Sequence, residues 1–138
     1  MGADLFADGE KVPEFLVWAQ KDKHSAPLQR IQIIKGSITN SGARPSERVF
    51  DVVCSDGLEV DPTTHRCPDN GARVNIEDCS ITDNVGATEL KATWRDPDFN
   101  PKDKAFYYVR VLENPTCRWS TWDCLLYTSD AADEGWCV

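Results

Sequence analysis

Long apolar runs are missing from this chain. The longest, such as Phe15 to Ala19, fall far short of the roughly 20 residues that a membrane-spanning helix needs, so no membrane span is expected. The Met1 end has neither a basic start nor an apolar stretch behind it, and no signal peptide is read there. Histidine is scarce, at two residues. Positive charge is in deficit: 15 Lys and Arg against 23 Asp and Glu leave a formal charge of −8 and a pI near 4.7. Such a chain repels phosphate backbones, and no basic cluster interleaved with aromatics offsets the repulsion, so nucleic acid is excluded as a partner. Familiar catalytic fingerprints are absent too: there is no G-x-S-x-G, H-E-x-x-H, P-loop or dinucleotide-binding glycine pattern.

What is present describes a globular chain. The 138 residues match one ordinary domain, long enough to bury a core. Hydrophobic residues at 41% and charged ones at 28% argue against disorder, collagen-like and coiled-coil architectures. Five segments are rich in β-branched and aromatic residues: Glu14 to Gln20, Leu28 to Ile38, Arg48 to Cys54, Glu89 to Trp94 and Ala105 to Leu112. Each reads as a strand. Between them lie segments dense in Gly, Pro, Asn and Asp, which supply the backbone angles and side-chain turn bonds that end strands. No helical period persists long enough to supply crossover helices, so the expected class is mainly β, an antiparallel sheet or partial β-sandwich with long polar loops. In the last strand Ala105, Tyr107, Val109 and Val111 alternate with Phe106, Tyr108, Arg110 and Leu112. Both faces are apolar apart from one Arg, which predicts a central strand.

The segment Ser55 to Cys79 is too long and polar for a hairpin loop, and such loops are functional or covalently pinned. Cys54, Cys67, Cys79 and Cys117 point to pinning. Their spacings of 12, 11 and 37 intervening residues include no C-x-x-C, which gives a zinc site little local support. An even number of cysteines around a polar loop fits disulfides in an oxidising compartment, each restricting the unfolded chain by roughly 2–4 kcal/mol. Four cysteines allow three pairings; Cys54 with Cys67 and Cys79 with Cys117 is preferred, with buried free thiols as the alternative.

Candidate chemistry elsewhere is thin. His24 and His65 lie in polar loops outside any ligand pattern and read as solvated. Asp96, Asp98 and Asn100 alternate like the opening of a calcium loop, yet Pro101 stands where the sharp-turn Gly belongs and Tyr107 where the bidentate Glu belongs. Asp-Pro and Asn-Pro turns feeding the last strand are the better reading. Trp18 and Trp94, at strand positions, are expected in the core. Trp119 and Trp122, in a loop, are the candidate binding aromatics.

The segments "FLVWAQKDKHSAPLQRIQIIKG", "ERVFDVVCSDG", "VDPTTHRCPDNGARV" and "LKATWRDPDFNPKDKAFYYVRVLENPTCRWSTWD", with the opening "MGADL", together resemble the C-terminal region of a bacterial family, domain of unknown function 3604 (DUF3604). The resemblance runs from Met1 to Asp123. It implies kinship with the PHP (polymerase and histidinol phosphatase) group of metal-dependent phosphoesterases, whose histidine and carboxylate ligands would lie in an α/β domain upstream. No position in this chain matches those ligands, so no catalytic residue and no cofactor are assigned to it, and a divalent metal is expected only in the parent protein. Many family members look exported, periplasmic or extracellular, in keeping with the cysteines. On the same resemblance "MGADL" matches an internal stretch, which makes this chain a fragment whose partner is the upstream domain of its parent.

The family pattern stops at Asp123. The residues Cys124 to Asp133, "CLLYTSDAAD", match one reading frame of the transposase mosaic-end adapter used in sequencing libraries (TGT CTC TTA TAC ACA TCT GAC GCT GCC GAC). Residues 124–138 are therefore read as a non-native tail and set aside, with 1–123 as the β-rich domain; the alternative is a short native strand, "CLLYT". Setting the tail aside removes Asp130, Asp133 and Glu134, taking the formal charge from −8 to −5, and removes Cys124 and Cys137. Two functions stay open. One is a non-catalytic C-terminal domain of an exported metal-dependent hydrolase. The other is a β-sandwich binding module for glycan or protein partners, with Trp119, Trp122, Tyr107 and Tyr108 as the patch. Catalysis by Asp96, Asp98 and a loop histidine rests on residue types alone.

Overall fold

The computed structural model describes residues 2–6, 11–38 and 45–130. Among them the chain forms β1 (Glu14–Gln20), β2 (Leu28–Ile38), β3 (Ser46–Cys54), β4 (Glu89–Arg95), β5 (Lys104–Glu113) and α1 (Trp119–Asp130). The fold is mainly β. Strands β1 and β4 make a two-stranded antiparallel ribbon, and β3, β2 and β5 make a three-stranded antiparallel sheet with β2 in the middle. The ribbon lies over one face of the sheet, giving a partial sandwich. Each strand prediction lands on an observed strand, with ends shifted by at most two residues.

Period-two alternation decides which residues meet between the layers. In β1, Phe15, Val17 and Ala19 turn inward; in β4, Leu90, Ala92 and Trp94 do the same. They close on Ile31 and Ile33 of β2, both essentially inaccessible to solvent. Burying such a side chain stabilises the fold by about 1.5–3 kcal/mol. An aromatic cluster completes the core: Trp94 lies 5.2 Å from Phe50 of β3 and 6.0 Å from Phe15, which in turn lies 4.8 Å from Tyr107 of β5. Rings from four strands thus join the two layers. Strand β2 carries a register shift at Ile31/Gln32, and its other face is buried as well, at Gln32, Ile34 and Gly36.

Two disulfides pin the long loops. Cys54 joins Cys67 and Cys79 joins Cys117, the preferred pairing. The loop between β3 and β4 is further latched to β2 and β5. Asn114, buried at the end of β5, donates to the Val85 carbonyl and accepts from Asn70 at 2.9 Å each. Gly86 has a φ of +97°, and a Cβ there would press into Pro27 and the Asn114 amide. Only glycine fits so close an approach without strain.

Three expectations are corrected. Among the described residues strand β5 is an edge strand and not a central one: apolar side chains on both faces say nothing about whether both backbone edges are paired. Trp18 is exposed, because it shares the outward face of the ribbon with Leu16, and no further layer covers that face among the described residues. Trp94 is in the core as expected. Finally, Trp119–Asp130 is helical, where the sequence pattern predicts a loop at Trp119 and Trp122 and, as the alternative for "CLLYT", a short strand. The helix crosses the expected domain boundary at Asp123 and makes at most marginal contact with any strand. Cys124 is disulfide-bonded; residues 131–138 of the expected tail lie outside the described residues.

Candidate functional site

The inward row of β2 runs Ile31, Ile33, Lys35, so one cation enters an otherwise apolar stripe. Lys35 is buried, and its Nζ donates to Asp96 Oδ2 at 2.5 Å and to the Asp98 carbonyl at 2.7 Å. Asp96 follows β4 directly and is equally buried. Its Oδ2 also accepts from the Tyr107 hydroxyl at 2.6 Å, while Oδ1 accepts from the Asp98 amide at 2.9 Å. Both carboxylate oxygens are occupied, and such a pair is tolerated in the interior only because its hydrogen bonds are satisfied. Burial, then the bond to Asp96 and its charge, push the Tyr107 phenol well above its ordinary range. Tyr107 therefore stays protonated and serves as a donor, not as a nucleophile or base. The Asp96 carboxylate holds the turn at 96–103 against the sheet, which is what a buried charge at a loop root can do chemically once it is saturated. Asn100 accepts from the Lys102 amide, and Asp98 pairs with Arg48. The turn reading of these acids is right, but the partner Lys35 was not foreseen. The one signal was a lone Lys inside "IQIIKGSI".

Beside this cluster an open groove of about 1270 Å³ runs along the start of β5, lined by Leu5, Phe6, Phe15, Phe99 and Phe106 among others. Asp103 Oδ1 in its lining is buried without a hydrogen-bond partner among the described residues.

A second polar network occupies the opposite face of the sheet. Asp51 of β3 is buried and accepts from Arg30 Nη1 at 3.0 Å, from the Cys67 amide at 2.7 Å and from Gln32 Nε2 at 2.6 Å, with Arg66 Nη1 at 3.5 Å. Gln32 Oε1 in turn accepts from Arg110 Nε at 2.9 Å and Nη2 at 2.6 Å. Asp51 thereby ties the disulfide at Cys67 to the sheet, and Gln32 fixes the plane of the Arg110 guanidinium. Two residues before Arg110 on the same face, Tyr108 lies beside Phe106, their ring planes within 11° and their centroids 6.3 Å apart.

The residues singled out in the sequence do not converge. Trp119 and Trp122 are exposed on α1, one turn apart. Tyr107 and Tyr108, adjacent on β5, point to opposite faces: Tyr107 is in the core and Tyr108 outside, so the four rings do not form one patch. His24 is exposed. His65 is not simply solvated. It is half-buried, at a φ of 55°, with its ring 5.2 Å from Phe50, and its carbonyl accepts the Asp51 amide. Among the described residues no group of three or more His, Cys, Asp or Glu side chains is placed to hold a metal ion.

Fold and networks together define a disulfide-stapled, two-sheet antiparallel β domain whose buried charges serve its loops. No curated protein and no solved structure matches the chain. A family model does, over residues 1–136: the chain belongs to the family described as "Protein of unknown function (DUF3604)".

Proposed function

We propose that this domain is the non-catalytic β domain of an exported hydrolase whose divalent metal would be held by an upstream domain of the parent chain and would supply Lewis-acid chemistry for phosphoester hydrolysis there. The observation that carries the reading is the saturation of Asp51 and Asp96. Each buried carboxylate has both oxygens engaged by neighbouring Lys, Arg, Gln, Tyr or amide donors, which suits a loop anchor. The two described disulfides fit an oxidising compartment. The resemblance to PHP-like phosphoesterases supports the reaction class.

The upstream domain would seat on the uncovered part of the sandwich. Val109 and Val111 of β5 share the inward face with Tyr107, yet they are 51% and 42% exposed because the ribbon does not reach them. A protein surface of this kind is an expected contact for a neighbouring domain. The test is a phosphoesterase assay on the parent protein, on the parent lacking this domain, and on this domain alone. The expected outcome is chelator-sensitive turnover only where the upstream domain is present; such turnover by this domain alone would overturn the reading.

A further inference from the structure

The outer face of the three-stranded sheet carries two rings that the core does not need. Phe106 and Tyr108 are 60% and 47% exposed, on the side of β5 opposite Tyr107. Large apolar rings are held in water here by a specific arrangement. Phe106 is paired across the ladder with Gly36 of β2, and a Cβ at Gly36 would press into Cε1, Cζ and Cε2 of that ring. Close approach of three ring carbons to one point means that the ring lies across the strand, face down on the backbone. Glycine is what leaves room for it. Tyr108 projects from the same strand and face, with a plane within 11° of Phe106 and a centroid 6.3 Å away. Two near-parallel exposed rings, two residues apart on one strand face, together present an aromatic surface to solvent. Beneath Tyr108 its cross-strand partner Ile34 is buried to 1% exposure, which backs the platform with packed side chain.

The polar groups beside the platform are also pre-set. Arg110 is next along the same face. Its guanidinium is gripped at Nε and Nη2 by Gln32, which is itself held by buried Asp51. Among the described residues Nη1 of Arg110 has no partner, so at least one fixed donor borders the rings. An aromatic surface with an oriented donor at its rim selects ligands that are flat, apolar on one face and hydroxylated at the edge. The C–H groups on one face of a pyranose meet the negative face of an aromatic ring favourably, while its equatorial hydroxyls reach sideways to donors and acceptors. The chain's charge of −8 disfavours polyanionic ligands.

We propose that Phe106, Tyr108 and Arg110 form a binding platform for a neutral, pyranose-based polysaccharide, with Gly36 and Gln32 as positioning residues. The platform lies on the face opposite the surface assigned above to the upstream domain, so the two can be occupied together.

The experiment is native affinity electrophoresis of the full chain in gels containing soluble hydroxyethylcellulose, mixed-linkage β-glucan, xylan or galactomannan. At least one polysaccharide is expected to retard the protein. Phe106→Ala and Tyr108→Ala should each weaken that retardation about fivefold to tenfold, with thermal midpoints near that of the parent chain because the rings are exposed. Gly36→Ala keeps both rings but lifts Phe106 from the sheet, and should weaken binding comparably. Leu16→Ser, on the outward face of the ribbon, should leave it unchanged. Absence of retardation in every gel overturns the proposal, as does retardation insensitive to the ring variants. Sedimentation provides a further check: if the chain is a dimer that Phe106→Ala and Tyr108→Ala dissociate, the rings serve a second copy and the glycan assignment falls.

Discussion

Replacing Cys79 and Cys117 with alanine should cost this domain more stability than replacing Cys54 and Cys67, although the latter bridge sits against the sheet. The bridges close segments with sequence separations of 38 and 13 residues. In the loop-closure account a bridge removes unfolded-chain entropy that grows with the logarithm of the loop, giving about 4 kcal/mol for the longer segment and about 3 kcal/mol for the shorter at 25 °C. The two loops share no residues, so their contributions should add to about 7 kcal/mol. That is comparable with the roughly 5–15 kcal/mol by which an ordinary domain is stable, and the four-alanine variant should be largely unfolded in water. The assay is guanidinium chloride unfolding followed by fluorescence of the core residue Trp94, at constant slope so that midpoints report stability. A loss below about 1 kcal/mol for the longer loop, or a folded four-alanine variant of near-parent stability, would refute the entropic reasoning and require the loops to be held by their polar latches instead.

Further outcomes follow from the buried networks. Lys35→Met leaves the Asp96 carboxylate buried without its cation and should destabilise by about 3–5 kcal/mol, with Tyr107→Phe costing about 2 kcal/mol; equal, negligible losses in denaturant titrations would show the cluster to be ornamental. Asp56 is held below the ordinary aspartate value of 3.8 by the Ser55 hydroxyl first, then by the Gly86 amide and Asn70, against an opposing effect of burial. Its contribution is therefore present above 3.8 and lost as pH falls through the lower folded value, so the Gly86 amide resonance should titrate with a midpoint under 3.8; a midpoint above it would contradict the bond. Tyr107 has the opposite sign. Its folded pKa lies above the ordinary 10.0, so its support of Asp96 is complete below that pH and is lost as pH rises through the folded value. An alkaline ultraviolet titration should show one late tyrosine, absent in Tyr107→Phe. Ending the chain after Asp123 should move the unfolding midpoint by no more than about 0.5 kcal/mol equivalent, since α1 scarcely touches the strands; a larger loss would make residues 124–138 part of the fold.

Local pattern determined the strands. Alternation and β-branched content in "EFLVWAQ", "ELKATW" and "AFYYVRVL" marked them, and Asn, Asp, Gly and Pro marked their ends, because strand geometry and turn chemistry are satisfied within a few residues. The cysteine spacing leaves three pairings open, and the fold decides between them by joining Cys54 to Cys67 and Cys79 to Cys117. Helix α1 was missed because "WSTWDCLLYTSD" mixes Trp, Thr, Ser and Asp with too little periodic contrast to announce a helix. Tertiary structure alone decided the rest. That β5 is an edge, that Trp18 faces water while Trp94 does not, that Lys35 meets Asp96 61 residues later, and that Phe106 lies on Gly36 all depend on which strands pair and in what register. A one-residue slip between β2 and β5 would exchange every inward side chain for an outward one. Register is set by the sum of many distant contacts, and no short stretch of sequence contains it.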